Sequence, residues 1–176
     1  PVASSWAFAG LLLRDFFHAA DGATLRQSLE NAGCFFDKEQ RDTLFSADWL
    51  AVEYDFNRLF IGPMKLLAPP YSSVYNDSDA LLMGKSTQQV KEILNALNLN
   101  IANENQTPED HISCEIELCL LLANNQPELL ARFVTGHVDL WLPLFIKKIK
   151  EHAQTQPLQL AAALLSDWLS ELKTRV

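Results

Sequence analysis

These 176 residues contain no surplus of basic charge, no paired cysteines and no glycine-rich phosphate loop, and each absence removes a class of function. Lys and Arg number 14 against 22 Asp and Glu, leaving a net charge of −8. Nucleic acid is excluded as the expected partner, because phosphate binding needs a basic patch. An acidic surface keeps a protein soluble and attracts a basic partner such as a cationic peptide. Cys34, Cys114 and Cys119 are odd in number and form no CxxC pair, which argues against a disulfide scaffold and suits the reducing cytoplasm. Gly62 and Gly84 are isolated, and Gly84-Lys85-Ser86 lacks the upstream glycine of a P-loop, so it reads as a turn and helix cap. Neither a GxSxG elbow nor an HExxH pair occurs. An uninterrupted apolar run of about 18 residues is also missing, so no membrane span is expected. The apolar start, Pro1 to Leu13, has neither a basic leading region nor a small-residue cleavage site and suits a packed first helix. Because the chain opens on Pro1 rather than Met, it reads as a processed or trimmed product with room for residues ahead of it.

What is present is helical periodicity. The chain is 48% hydrophobic and 20% charged, ordinary globular composition, and long enough for one domain, residues 1–176, to bury roughly two-thirds of its unfolded surface. Trp6, Leu11, Leu12, Phe16 and Phe17 follow a cap at Ser4 or Ser5. Asp21-Gly22 makes a turn before a second segment, Ala23 to Asn31, which Gly33 ends. A third helix is expected from Asp37 to about Phe60, with Leu44, Trp49, Val52, Phe56, Leu59 and Phe60 in the core. Ile61 to Asp79 is loop chemistry, holding Gly62, Pro63, Pro69 and Pro70 together with Tyr71, Val74 and Tyr75. Ser86-Thr87-Gln88-Gln89 reads as a capping box. Thr107 is placed as the N-cap of the next helix, with Pro108 in its first position and Glu109 and Asp110 in its first turn. Asn125 or Gln126 opens another helix, Gly136 is expected to break it, and the last starts near Gln156-Pro157 with Leu158, Ala161, Leu165, Trp168 and Leu172 on one stripe. With no convincing strand alternation, the fold class is all-α.

Three groupings carry candidate chemistry. His111, Cys114 and Glu115 share one helical face, but zinc needs three or four ligands and no second paired motif exists, so no metal is expected. Asp110-His111 reads as a catalytic dyad, as first-turn capping, or as a polar recognition pocket; adjacent helical residues point about 100° apart, which disfavours the dyad. Tyr71 and Tyr75 either close over a core or, if exposed together, give rigid amphipathic binding anchors on a loop that prolines hold extended.

The ordered set Asp55-Phe56-Asn57-Arg58-Leu59-Phe60, Ile61-Gly62-Pro63, Pro69-Pro70-Tyr71-Ser72-Ser73-Val74-Tyr75, Met83-Gly84 and Thr107-Pro108-Glu109-Asp110-His111 resembles the TorD/DmsD/NarJ family of redox-enzyme maturation chaperones. It departs from the pattern at Phe56, where the family usually shows Tyr, and at Tyr71 and Tyr75, where DmsD-like members often carry Trp. The resemblance implies a single-domain helical bundle of roughly ten helices, and a cytoplasmic chaperone rather than an enzyme. It implies as partner the precursor of a molybdopterin-dependent oxidoreductase of anaerobic respiration and its twin-arginine leader, held until cofactor insertion is complete. Carried over by position, the peptide-binding residues are Tyr71, Ser73, Tyr75, Asp110 and His111, with Leu59, Phe60 and Pro70 as supports and Glu109 as an alternative partner for an arginine. Family members include exchanged-helix dimers as well as monomers, which would make Asn98–Gln106 a hinge. Weak guanine-nucleotide binding is also implied, although no motif here supplies a site; otherwise no cofactor is expected. The alternatives are a nucleotide-binding or hydrolytic enzyme using Asp110 and His111, and a helical interaction module unrelated to molybdoenzymes.

Overall fold

The computed structural model describes residues 5–77, 84–99 and 107–176, and the regular elements among them are all helical. In chain order these are α1 (Ser5–Phe17), α2 (Gly22–Asn31), α3 (Lys38–Ser46), α4 (Trp49–Phe56), α5 (Ser72–Asn76), α6 (Lys85–Ala96), α7 (Ile112–Asn125), α8 (Pro127–Phe133), α9 (Asp139–His152) and α10 (Gln156–Thr174). A π turn, Asn57–Ile61, extends α4, and a second, Val134–Val138, joins α8 to α9. The all-α expectation therefore holds, with close to the number of helices expected. The one isolated β-bridge among the described residues pairs Tyr71 with His111.

Hydrophobic burial sets α1 at the centre. Its Trp6, Leu13, Phe16 and Phe17 are buried, and it packs on α2, α7 and α10. Trp6 stacks on Trp168 of α10 at 5.4 Å between ring centroids. A glycine at position 10 permits that approach, since a Cβ there would lie 2.8 Å from Trp168 Nε1. Phenylalanine rings carry the core onward. Phe16 meets Phe56 edge-on at 5.7 Å, Phe56 meets Phe60 at 4.9 Å, and Phe60 meets Phe145 of α9 at 5.7 Å. Ring pairs in such offset or edge-on geometry add about 0.5–1.5 kcal/mol each beyond the area they bury.

Local hydrogen bonding corrects four sequence expectations. The third helix is two, because the Asp48 carboxylate accepts from the amides of Leu50 and Ala51 and starts α4 afresh. The Ser86 capping box is not used. Gly84 precedes α6 with no side-chain cap, and Ser86 donates to Asp77 at 2.7 Å instead. Thr107 does not cap α7, which begins at Ile112 with His111 as its N-cap. Gly136 does not break the chain, since the π turn absorbs it and helix runs from Pro127 to His152. Within that 26-residue helix an 18-residue window has a mean hydropathy of 1.4, enough by length and composition to cross a membrane, although no single apolar run announces it. Half of its apolar window is buried within the protein, where Trp141, Leu142, Phe145, Ile146 and Ile149 fill the core. Three starts fall as expected: Asp21 caps α2 through Thr24, and Pro127 and Pro157 sit in the first turns of α8 and α10. Ser4, Met83 and most of the Asn98–Gln106 stretch lie outside the described residues.

Asp55 fastens the two ends of the bundle. It is 4% exposed, and its Oδ2 accepts from the amides of Gln154 and Thr155 and the Thr155 hydroxyl, each at 2.9 Å, just where α10 begins. Its Oδ1 accepts from Arg58 Nη2 at 2.7 Å, and the same nitrogen donates to the His152 carbonyl at the end of α9. One carboxylate and one guanidinium thus hold the α9–α10 corner to the end of α4. Arg58 is about a third exposed and keeps the His152 carbonyl. Removing the carboxylate therefore mainly leaves the Gln154 and Thr155 amides without an acceptor, at a cost of about 1–3 kcal/mol. Asp55→Ala is expected to lose stability on that scale in urea unfolding, and a loss below about 1 kcal/mol would contradict the clasp.

Candidate functional site: a proline–tyrosine loop pinned to the start of α7

Pro69 and Pro70 bring no amide donors, so the loop ahead of α5 cannot satisfy itself as helix. It pairs instead with the segment entering α7. The Ile112 amide donates to the Pro70 carbonyl at 2.9 Å, and the Ser72 amide donates to the Asp110 carbonyl at 3.1 Å. Tyr71 and His111 become opposite members of a two-residue ladder, and their rings meet edge-on at 5.2 Å. The Asp110 side chain completes the join, its Oδ2 accepting from the Ser73 amide at 2.9 Å. From below, the loop is held by the Ala68 amide donating to the Leu59 carbonyl at 3.0 Å. Leu59, Phe60 and Pro70 are buried beneath it.

The fold therefore brings four of the five carried-over residues together: Tyr71, Ser73, Asp110 and His111. Tyr75 lies one turn along α5, with its ring 5.6 Å from Trp141 and 6.3 Å from Phe145, closing over the core. Tyr71 and Tyr75 are partly buried, Ser73 and Asp110 are fully buried, and His111 is 6% exposed. Glu109 is half-buried at the edge, 3.8 Å from Lys91.

Burial governs the electrostatics. It drives the His111 imidazole down to about 3, with His18 adding to the effect. The neutral ring uses Nδ1 to accept from the Ser113 amide at 3.1 Å, 2.7 Å from the Ser113 hydroxyl. Burial, with Asp110 beside it, also raises the Tyr71 phenol. Asp110 and His111 spend their hydrogen bonds on different partners, so no dyad forms. The shared face of His111, Cys114 and Glu115 does not become a metal centre. Burial holds Cys114 as a thiol at about 11, Glu115 turns to other partners, and no metal-sized cluster occurs among the described residues.

Sequence reasoning passed over those partners of Glu115. His137 Nε2, in the second π turn, lies 2.9 Å from Glu115 Oε1, and Trp141 Nε1 donates to the same oxygen at 3.1 Å. His137 Nδ1 lies 3.1 Å from Gln89 Oε1, and Asn76 donates to the His137 carbonyl. Burial pushes the Glu115 carboxyl up, against the pull of His137, Ser72 and Trp141. This network ties α5, α6, α7 and α9 together under the loop. Its signal was a charged residue amid the buried Ile112, Ile116 and Cys119 of α7, and a histidine inside an apolar run.

His111 sets a pH dependence with a defined sign. Its folded pKa lies below the ordinary 6.5, so the unfolded chain takes up a proton that the folded chain refuses. Stability from this group is full above pH 6.5 and falls, by about 1.4 kcal/mol per pH unit, as the pH drops toward 3. Urea unfolding of the wild type and His111→Gln at pH 7 and pH 5 is expected to show a smaller acid loss in the variant; parallel losses would contradict a buried neutral imidazole.

Comparison with known proteins places this geometry. Residues 18–147 match the nitrate reductase delta subunit family. The chain is 30% identical over 125 residues to a candidate Tat proofreading chaperone DmsD of Haemophilus influenzae, covering 69% of this chain and 62% of the relative. It is 32% identical over 111 residues to the chaperone protein TorD of Vibrio cholerae, covering 56% and 50%. The matches thus span between half and two-thirds of the relatives' length. A candidate redox enzyme maturation protein from Archaeoglobus fulgidus, of known crystal structure, has the same fold, with a TM-score of 0.66 and 24% identity over 94% of this chain and 93% of that one. The family match covers most of the chain, and the chain belongs to the nitrate reductase delta subunit family, the TorD/DmsD/NarJ group that its loop and α7 motifs resemble.

Proposed function

We propose that this chain is a cytoplasmic, client-specific chaperone that binds the precursor of a molybdopterin-dependent oxidoreductase at its twin-arginine leader and delays export until the cofactor is in place. One observation carries the reading: in a family whose relatives are named Tat proofreading and TorD chaperones, backbone pairing sets Tyr71 directly over a neutral His111. A neutral imidazole does not repel an arginine, and a net charge of −8 favours approach of a cationic leader. Tyr71 supplies ring surface for a guanidinium or an apolar leader side chain. Asp110 and Ser73 hold that surface in place from beneath, and Glu109 at the edge is the carboxylate an incoming arginine would take over from Lys91. Tyr75 braces the loop on Trp141. The chain acts as one unit, because the site joins segments from its middle to a core built from both ends.

A fluorescein-labelled twin-arginine leader, titrated by anisotropy, is expected to bind Tyr71→Ala about tenfold more weakly than wild type, a change of about 1.4 kcal/mol. A Lys-Lys leader is expected to bind more weakly than Arg-Arg, because an ammonium cannot make the bidentate contact. Equal affinity of wild type and a normally folded Tyr71→Ala would remove the site assignment, and equal affinity of the two leaders would remove the arginine contact.

A further inference from the structure

The surface between α9 and α10 holds a furrow of about 440 Å³ that shares no lining residue with the Tyr71–His111 site. One face of each helix lines it: Pro143, Ile146, Lys147, Lys150 and Glu151 from α9, and Ser166, Leu169, Ser170 and Lys173 from α10. These positions recur at the three- and four-residue spacing of a helical stripe. The floor is apolar, with Ile146 and Leu169 showing 5% and 6% of their surface. Ser166 and Ser170 keep one wall low. Leu140 and Leu144, exposed at 57% and 48%, continue the α9 flank by helical phase.

The charge of this furrow opposes that of the molecule. Three lysines against one glutamate line it, a local surplus of two positive charges on a chain of net charge −8. Two of the lysines have acidic partners, one exposed and one half-buried. Lys147 lies 3.7 Å from Glu151 and Lys173 lies 3.1 Å from Asp139. An exposed pair such as Lys147–Glu151 contributes little and exchanges readily. Lys150 forms no ion pair among the described residues. An extended strip with an apolar floor and basic rims is the complement of an amphipathic helix with acidic flanks.

We propose that the α9–α10 furrow docks an acidic amphipathic helix of a partner protein, its apolar face on Ile146 and Leu169 and its carboxylates toward Lys147, Lys150 and Lys173. This surface is independent of leader binding, so either reading can fail without the other. Opposite charge across the rim fixes register and speeds encounter, while Leu140 and Leu144, exposed along the α9 flank, supply the apolar surface that a partner can bury.

The test uses the full chain and a fluorescein-labelled helical peptide with leucines at i, i+3, i+4 and i+7 flanked by glutamates. A control peptide carries glutamines in place of the glutamates. The acidic peptide is expected to bind wild type about tenfold more tightly than the control, and to weaken as salt screens the rim. Lys147→Glu/Lys150→Glu is expected to weaken it by about tenfold or more. Ser170→Trp, which fills the furrow and keeps its charge, is expected to abolish it, while both variants keep wild-type circular dichroism and leader affinity. Equal binding of the two peptides, or unchanged binding by both variants, would overturn the proposal. Capture of phosphatidylserine vesicles without peptide binding would overturn it in favour of a membrane surface. A dimer that charge reversal dissociates, again without peptide binding, would overturn it in favour of a second copy of the chain.

Discussion

The backbone between Ile61 and Ser72 has no helix to satisfy it, two of its residues in succession lack an amide, and from Ala68 onward it runs against the core, where unpaired polar groups are costly. Its partners come from a segment far along the sequence, the turn that enters α7. The Ile112 amide, the Asp110 carbonyl and the Asp110 carboxylate take the loop's donors and acceptors in turn. Everything at the candidate site follows from that exchange: the pairing of Tyr71 with His111, the late start of α7, and the burial that keeps the imidazole neutral. A free proline–tyrosine loop would have to be ordered on binding, whereas a pinned one offers its surface already arranged.

The same solution recurs wherever helices meet without regular hydrogen bonding. Asp55 serves the α9–α10 corner, Asp110 the α5 entrance, and Glu115 with His137 the π turn between α8 and α9. Each is a buried ionisable group whose cost is offset by donors from another element. Aromatic rings then join these fastenings into one body. The chain of contacts from Phe16 through Phe56, Phe60 and Phe145 reaches Tyr75 directly behind the loop, so the core and the site share side chains.

Much of this was legible in the residues, for identifiable reasons. Period-3.6 apolar stripes are strong signals, and α1, α2 and α10 lie close to where they put them. Proline in the first turn marked α8 and α10 because its missing amide costs nothing there. The failures share a cause as well. Asp48, Ser86 and Thr107 are all good caps by residue type, but only Asp48 acts as one; Ser86 is engaged by Asp77, and α7 starts beyond Thr107, where Asp110 is committed to Ser73. Tertiary partners decide among local candidates, and sequence alone does not supply them. At the site, the motif grouped residues that the fold brings together, yet their depths could not be read. Asp110 resembled an open carboxylate and is fully buried, while Glu115 and His137, which tie the region together, met only as a pair across the fold.

The central claim is that the Pro70–Ser73 loop and the Asp110–Ile112 turn act as a single binding surface. Amide hydrogen exchange with and without a saturating twin-arginine leader tests it most directly. The account predicts that peptide slows exchange at Tyr71 to Tyr75 and at Asp110 to Ser113 together, at the same peptide concentration. Protection confined to one of the two segments, or falling elsewhere with both unchanged, would contradict it.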